Sequence, residues 1–405
     1  MSRTLHCSLG RLLMVALGAG LMLPACSAGG GAPGPGPASL EPSVTSAPDE
    51  GEIRQGIQAA LDLYGQAFND ENPELLAQVV DQSNKPFRRF VKTRYDYYTS
   101  GFQGAGDGYT FTADSIEPRD FGFVQAHVTT VYGEAADWLF REVNGQWLLS
   151  EPTVDQIGAQ VVAEKDKFIF HTWPWAADVN PRVMHLMQEA RERVKAKLGR
   201  IPEETADVVI VPIYGLRAGE SPTAAAWYSP RRSESENDHM EILAPQSYIY
   251  GFYDAAAGWE DGLRQTLVHE YTHMTHQRSF ARAGKLSDWM VEGLAEWVAD
   301  SFRENEVAAA VRAGYLIPIV DPSGAVYKQD LNHLALLTQD ISLAYGLAAS
   351  LVRYVVQEHG GLDGFWTLAR AYDAANDMGE ALQQSFGISY AEFDQGWRAW
   401  LKQTY

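Results

Sequence analysis

The stretch HEYTHMTHQRSFARAGKLSDWMVEGLAEW, His269 to Trp297, sets His269, Glu270, His273, Glu292 and Glu296 at spacings that two adjacent helices can bring together. His269 and His273 are four residues apart. On an α-helix that separation is about 6 Å along the axis and nearly on one face, so both imidazoles can reach one metal ion. Glu270 is turned about 100° around the helix, beside such an ion rather than on it. There a carboxylate can take a proton from a metal-activated water. A catalytic zinc usually takes three protein ligands and keeps one position open, so a third ligand is required. Glu292 can supply it. The segment between offers Gly284 to end one helix and Ser287 or Asp288 to cap the next, and a helix, turn and antiparallel helix would bring Glu292 back to face the histidines. Glu296, one turn further on, is placed to accept the free ring N–H of a liganding histidine and fix its tautomer. The competing reading is a pair of ordinary helices with a solvated acidic face.

HEYTH followed after eighteen residues by the WMVEGLAEW segment resembles the gluzincin zinc metallopeptidases, in particular the aminopeptidase-like branch called peptidase MA-like. The resemblance covers roughly residues 165–405, including the C-terminal SYAEFDQGWRAWL. It implies that Glu292 ligates Zn2+, that an α/β subdomain carries the HExxH helix, that a helical subdomain follows, and that substrate lies in a cleft between them. Gluzincins also draw an oxyanion donor from the helical subdomain. Tyr345, in AYGLAASLVRYVVQEHG, falls where such a tyrosine would come, and a helix-core tyrosine is the other reading of that residue. The metzincin pattern is not met, because His276 stands where it needs glycine and Ser279 where it needs a third histidine. His276 then reads as an ordinary polar residue past the site. HMEILAP, His239 to Pro245, is the candidate edge strand beside which an extended peptide could lie, and no exopeptidase motif for a free N-terminus is evident in it.

Working outward, KFIFHTWPW opens the second folded part near Lys165 as a strand. Asn180 as N-cap, Pro181 at the first helical position and Gly199 at the end then bracket a helix, and ADVVIVPIY reads as a buried strand. Past the quoted stretch the pattern is helical. ISLAYGLAASLVRYVVQEH stops at Gly360-Gly361, and Ser389 with Glu392 forms a capping box.

Upstream, Ile53, Ile57, Leu61, Tyr64 and Phe68 recur at helical spacing, and FRRFVKTRYDYY is a second helical stretch. Aromatic and β-branched runs follow, with Asn144-Gly145 as a two-residue hairpin turn. Helices and then an antiparallel sheet make an α+β domain. Its order and its closing FREVNGQWLLSEP are similar to the nuclear transport factor two-like (SnoaL-like) cone fold. No cluster of acids and histidines stands out there, so it reads as a packing or partner-binding module, and His127 as a satisfied sheet residue.

At the start, Arg3 and Arg11 accompany the apolar run LLMVALGAGLML, too short to span a bilayer, and Leu23-Pro24-Ala25-Cys26 resembles the lipobox of bacterial lipoproteins. Cleavage before Cys26 would leave it as the only cysteine, carrying lipid. The Gly/Pro-rich stretch after it reads as a tether. The chain carries a formal charge of −20, which repels phosphate backbones and excludes nucleic acid as a natural partner.

The expected organisation is a signal peptide over 1–25, a tether over 26–50, an accessory domain over 51–155 and a gluzincin-like domain over 160–405, α+β and multidomain throughout. The expected activity is zinc-dependent hydrolysis of peptide bonds in a peptide or protein substrate, by an exported protein lipid-anchored to a membrane of the bacterial cell envelope. Two other readings stand beside it: a non-catalytic gluzincin-like protein that binds an envelope partner, and ligand sensing through the N-terminal domain. The sequence leaves the oligomeric state open.

Overall fold

In the computed structural model, which describes residues 49–99, 108–130, 135–217, 224–245, 258–280, 286–301, 303–314 and 341–405, the chain opens with α1 (Glu50–Asn69). Asp49 and Glu52 form a reciprocal capping box, so the end of the expected tether is already the cap and first residue of a helix. The signal segment, Cys26 and the rest of the tether lie outside the described residues. Ile57, Leu61, Tyr64 and Phe68 are buried, as their spacing requires. A short helix that the sequence reading passed over, α2 (Pro73–Val79), is capped by Asn72, and α3 (Lys85–Thr99) follows.

Strands β1 (Phe111–Pro118), β2 (Phe123–Thr130), β3 (Ala135–Val143) and β4 (Gln146–Leu149) then form an antiparallel sheet in sequence order. The β3–β4 turn is Asn144-Gly145, both residues at positive φ of 53° and 81°, as a primed hairpin turn needs. Tyr64, Phe68, Phe111 and Trp138 pack edge-on and tilted against one another, filling the space between α1 and this sheet with aromatic rings. His127 sits directly across from Asp137 and lies 3.0 Å from its carboxylate.

The second sheet is mixed, in the order β5-β6-β7-β9-β8. It begins earlier than Lys165, because β5 (Val161–Lys165) pairs back onto β6 (Phe168–Thr172). Between the parallel strands β6 and β7 (Ala206–Val211) runs α4 (Asn180–Leu198), the crossover that parallel pairing demands. Asn180 is the first residue of that helix rather than its cap. Its side-chain amide instead donates to the Trp173 carbonyl, and the helix ends on Gly199 at φ 68°.

The expected edge strand is corrected here. HMEIL lies in β9 (Asp238–Leu243), parallel to β7 on one side and antiparallel to β8 (Ala226–Ser229) on the other. Every residue of β9 but His239 is buried, as fits an interior strand, and the edge belongs to β8, whose four residues are too short a pattern to read.

Phe168, Phe170, Val208, Ile210, Met240 and Ile242 cover the sheet face on which α4 and α5 (Trp259–Ser279) pack. Helices α6 (Asp288–Ala299), α7 (Glu304–Arg312), α8 (Ile341–Glu358), α9 (Gly361–Ala375), α10 (Met378–Phe386) and α11 (Tyr390–Thr404) extend the same core. Gly360 and Gly361, at φ 92° and 73°, separate α8 from α9, and Ser389 with Glu392 caps α11. No helix among the described residues is long and apolar enough to cross a membrane.

Residues Pro48–Tyr405 form one compact unit. Tyr214, Ala225 and Leu243, from the second sheet and its connections, join the aromatic core of the first sheet, and the Tyr214 ring stacks on Phe90. At this junction the buried Glu151 accepts hydrogen bonds from the Tyr214 N–H at 2.7 Å and the Gly215 N–H at 3.2 Å. Burial pushes its carboxyl up to about 8 against the pull of those two donors.

Candidate metal centre

A helix that carries two imidazoles inward must bury polar residues around them, and α5 does so by satisfying its hydroxyls internally. Thr272, Thr275 and Ser279 each donate to the carbonyl four residues back, at 2.8, 3.0 and 2.7 Å. Leu263, Leu267, Tyr271 and Met274 fill the apolar contacts. The helix ends at Ser279, and Gly284, the expected stop, lies outside the described residues. Ser287 stands at the N-cap position of α6, but its side chain makes no capping hydrogen bond.

Gly293, between the two glutamates of α6, has a packing reason. A Cβ there would collide with the Ala348 carbonyl of α8, so only glycine lets the two helices approach this closely. That approach turns Glu292 and Glu296 toward α5 and brings Tyr345 of α8 to the site, its ring centroid 6.3 Å from that of His269.

The side chains meet as follows. The Nε2 atoms of His269 and His273 lie 3.2 and 3.4 Å from one oxygen of Glu292. Among the described residues these three alone form a group whose ligand atoms all fall within 4.8 Å of one another. The other nitrogen of His269, Nδ1, lies 3.0 Å from Glu296, whose second oxygen accepts from the Ser301 hydroxyl at 3.0 Å. Glu296 therefore holds the tautomer that leaves Nε2 free to ligate. Glu270 stands off the triad and accepts the backbone N–H of Tyr228, in β8, at 2.8 Å.

Whether zinc suits these residues can be asked of the spacing. Bonds of 2.0–2.1 Å in a tetrahedron put neighbouring ligand atoms about 3.3 Å apart, and the two imidazole-to-carboxylate separations, 3.2 and 3.4 Å, match. Donor chemistry agrees: two nitrogens and one carboxylate oxygen are the set of a catalytic rather than a structural zinc.

Electrostatics point the same way. Burial opposes charge on His269, but hydrogen bonds to Glu292 and Glu296 overcome it and raise the imidazole to about 10. Burial likewise opposes charge on Glu292, yet the two histidines hold its carboxyl well below the usual range. Three carboxylates around two imidazoles favour a cation between them. Burial raises the Glu270 carboxyl, with His273 and His269 pulling it back. Burial and then Glu292, Glu296 and Glu270 push Tyr345 far up, so it keeps its proton and can donate it in a hydrogen bond.

Of the expected site residues, His269, Glu270, His273, Glu292, Glu296 and Tyr345 are brought together. His276 differs from expectation. It is buried at 1% exposure, its ring sits edge-on 5.6 Å from His273, and burial lowers it to about 3, leaving it a neutral wall of the site. Its place three residues after His273 signalled the same helix face, which the sequence reading discounted. Tyr228 and Ser301 were not foreseen. Tyr228 contributes a backbone N–H that any residue but proline could supply, so no side-chain signal existed.

No protein-family model matches this chain, and no curated protein does. Among solved structures it is similar to an M1 zinc metallopeptidase variant from Deinococcus radiodurans, at 14% identity and a TM-score of 0.30 over 72% of this chain. The match spans 61% of that chain's length.

Proposed function

We propose that this chain is a zinc-dependent hydrolase of peptide bonds, with His269, His273 and Glu292 as ligands. The observation that carries the reading is the pair of 3.2 and 3.4 Å separations from the two Nε2 atoms to one Glu292 oxygen, with Glu296 fixing His269 from behind. A zinc ion held there would supply Lewis acidity, lowering the pKa of water and polarising a carbonyl.

The chain's own residues account for the rest. Glu270, kept out of the ligand set by its hydrogen bond to Tyr228, takes a proton from water and returns it to the leaving amine. Its raised pKa suits both halves of that transfer. Tyr345, held protonated, donates to the oxygen that gains charge as the carbonyl is attacked. Among the described residues β8 pairs with β9 alone, so its outer edge offers backbone groups to an extended peptide immediately beside Glu270. That edge favours a peptide over a small ester as substrate.

The test is cleavage of a mixed peptide library by the zinc-loaded chain and by Glu270→Gln. The wild type should cleave. The variant should keep its zinc and lose turnover by about 100-fold or more, the contribution of a general base. Equal cleavage by both proteins would remove Glu270 from the mechanism, and no cleavage by either would remove the peptidase reading.

A further inference from the structure

A cavity of about 250 Å³ opens where β8 ends and the last turn of α5 passes, lined among others by Tyr228, Arg231, Arg232, Glu234, Gln277 and Arg278. Three of these residues are tied together by Asp238, which is 1% exposed. One Asp238 oxygen accepts the Tyr228 hydroxyl at 3.0 Å and the Arg231 backbone N–H at 3.1 Å, and the other accepts Arg278 Nε at 2.7 Å. The edge strand, the turn after it and the metal-site helix are thereby tied at one point, so the cavity is built before anything enters it.

In a chain with a formal charge of −20, this cavity gathers three arginines. Arg278 is answered by Asp238. Among the described residues, neither Arg231 nor Arg232 pairs its guanidinium with a carboxylate, Glu234 on the rim and the nearby Glu236 included; Glu236 takes only the Arg232 backbone N–H. The Gln277 side-chain oxygen is buried there without a hydrogen-bond partner, and half a turn of its amide would present two N–H donors instead. Counting the lining groups with Asp238, three positive charges face two negative ones. An excess of about one charge matches a carboxylate better than a dianionic phosphate, and the guanidinium fork suits it geometrically.

The position relative to the metal centre follows from the helix. Gln277 is seven residues beyond Glu270, about 10 Å along the axis. An extended peptide advances about 3.3 Å per residue. We propose that this cavity receives a carboxylate of the substrate about three residues from the cleaved bond, making the enzyme selective for acidic peptides. The proposal rests on the peptidase reading, because the metal centre defines where the bond lies.

The test uses the full chain carrying Glu270→Gln, so that peptides are bound and not consumed. A capped, otherwise neutral ten-residue peptide carries a single glutamate walked along it, and a parallel set ends in a free or an amidated C-terminus. Binding is read by calorimetry. One glutamate register should bind at least about 10-fold more tightly than its glutamine counterpart, as charge-assisted arginine pairs allow. If the C-terminal carboxylate is the ligand, the free acid should gain that factor over the amide instead. With Arg231→Ala and Arg232→Ala added, the gap should close to under about twofold. Equal binding both of the glutamate and glutamine peptides and of the free acid and the amide, a gap that survives the arginine substitutions, or no binding at all would overturn the proposal. Wild-type protein that leaves uncut the peptides it selects would instead sink the peptidase reading and leave the cavity's specificity standing.

Discussion

Asp81, beside the first sheet, and Glu292, on α6, are both carboxylates taken largely out of water, and their surroundings answer them differently. Asp81 accepts hydrogen bonds from the Ser83 hydroxyl at 2.6 Å, the Ser83 N–H at 2.9 Å, the Ser150 hydroxyl at 2.8 Å and Arg141 at 2.5 Å. Burial opposes its charge, and those donors overcome it and lower its pKa. Its one negative charge meets one positive charge. Glu292 meets two imidazoles, and the acids around them, Glu292, Glu296 and Glu270, favour positive charge on His269. The first arrangement is complete and the second wants a cation. A buried acid does not by itself point to a functional site; an excess of acids converging on two imidazoles does.

The contrast can be broken at either end. Asp81→Ala should cost about 2–4 kcal/mol of stability, because it strands Arg141 and two hydroxyls, while zinc content stays at the wild-type level. Chemical denaturation and metal analysis on the same preparation check both halves, and loss of zinc would show that the first sheet supports the metal centre.

Glu296→Ala should lower zinc affinity or turnover about 10- to 100-fold, since His269 loses the acceptor that holds its tautomer. Competition with a chelator of known affinity measures it. An unchanged affinity with unchanged turnover would reduce the Glu296 contact to packing.

At Glu151, which stands at the junction between the two sheets, the effect is expected on the pH dependence of stability alone. Folding raises its pKa from 4.5 to about 8, so between those values the folded chain keeps a proton that the unfolded chain has released. Stability from this group therefore falls as pH rises through that window and levels off above it. Glu151→Gln should flatten the dependence. Thermal midpoints of the two proteins should diverge progressively as pH rises through that window. Parallel curves from pH 5 to 9 would show that Glu151 ionises freely.

The same two regions show what the sequence could tell. Helical spacing placed α1, and the Asn144-Gly145 turn placed the β3–β4 hairpin, because local period and turn chemistry are written in consecutive residues. His269, His273, Glu292 and Glu296 were legible for a similar reason. A four-residue interval on α5 and another on α6 each define one face, and only the turn between them had to be supposed. What escaped was order in space. β9 was taken for an edge because nothing in HMEIL records that β8 pairs outside it, and strand order is a property of the folded chain. Asp81, Ser150 and Arg141 are distant in sequence and of ordinary type, so their network has no local signature. The cavity at the end of β8 escaped too, since Arg231 and Arg278 meet only through Asp238.

The central claim is that His269, His273 and Glu292 together hold one catalytic zinc. Its most direct test is zinc stoichiometry, by mass spectrometry of the metal in dialysed protein, for the wild type beside Glu292→Ala. The account predicts about one zinc per chain in the wild type and little or none in Glu292→Ala, since two imidazoles alone leave a zinc short of its usual three protein ligands. Glu292→Ala protein that retains one equivalent as tightly as the wild type would contradict it.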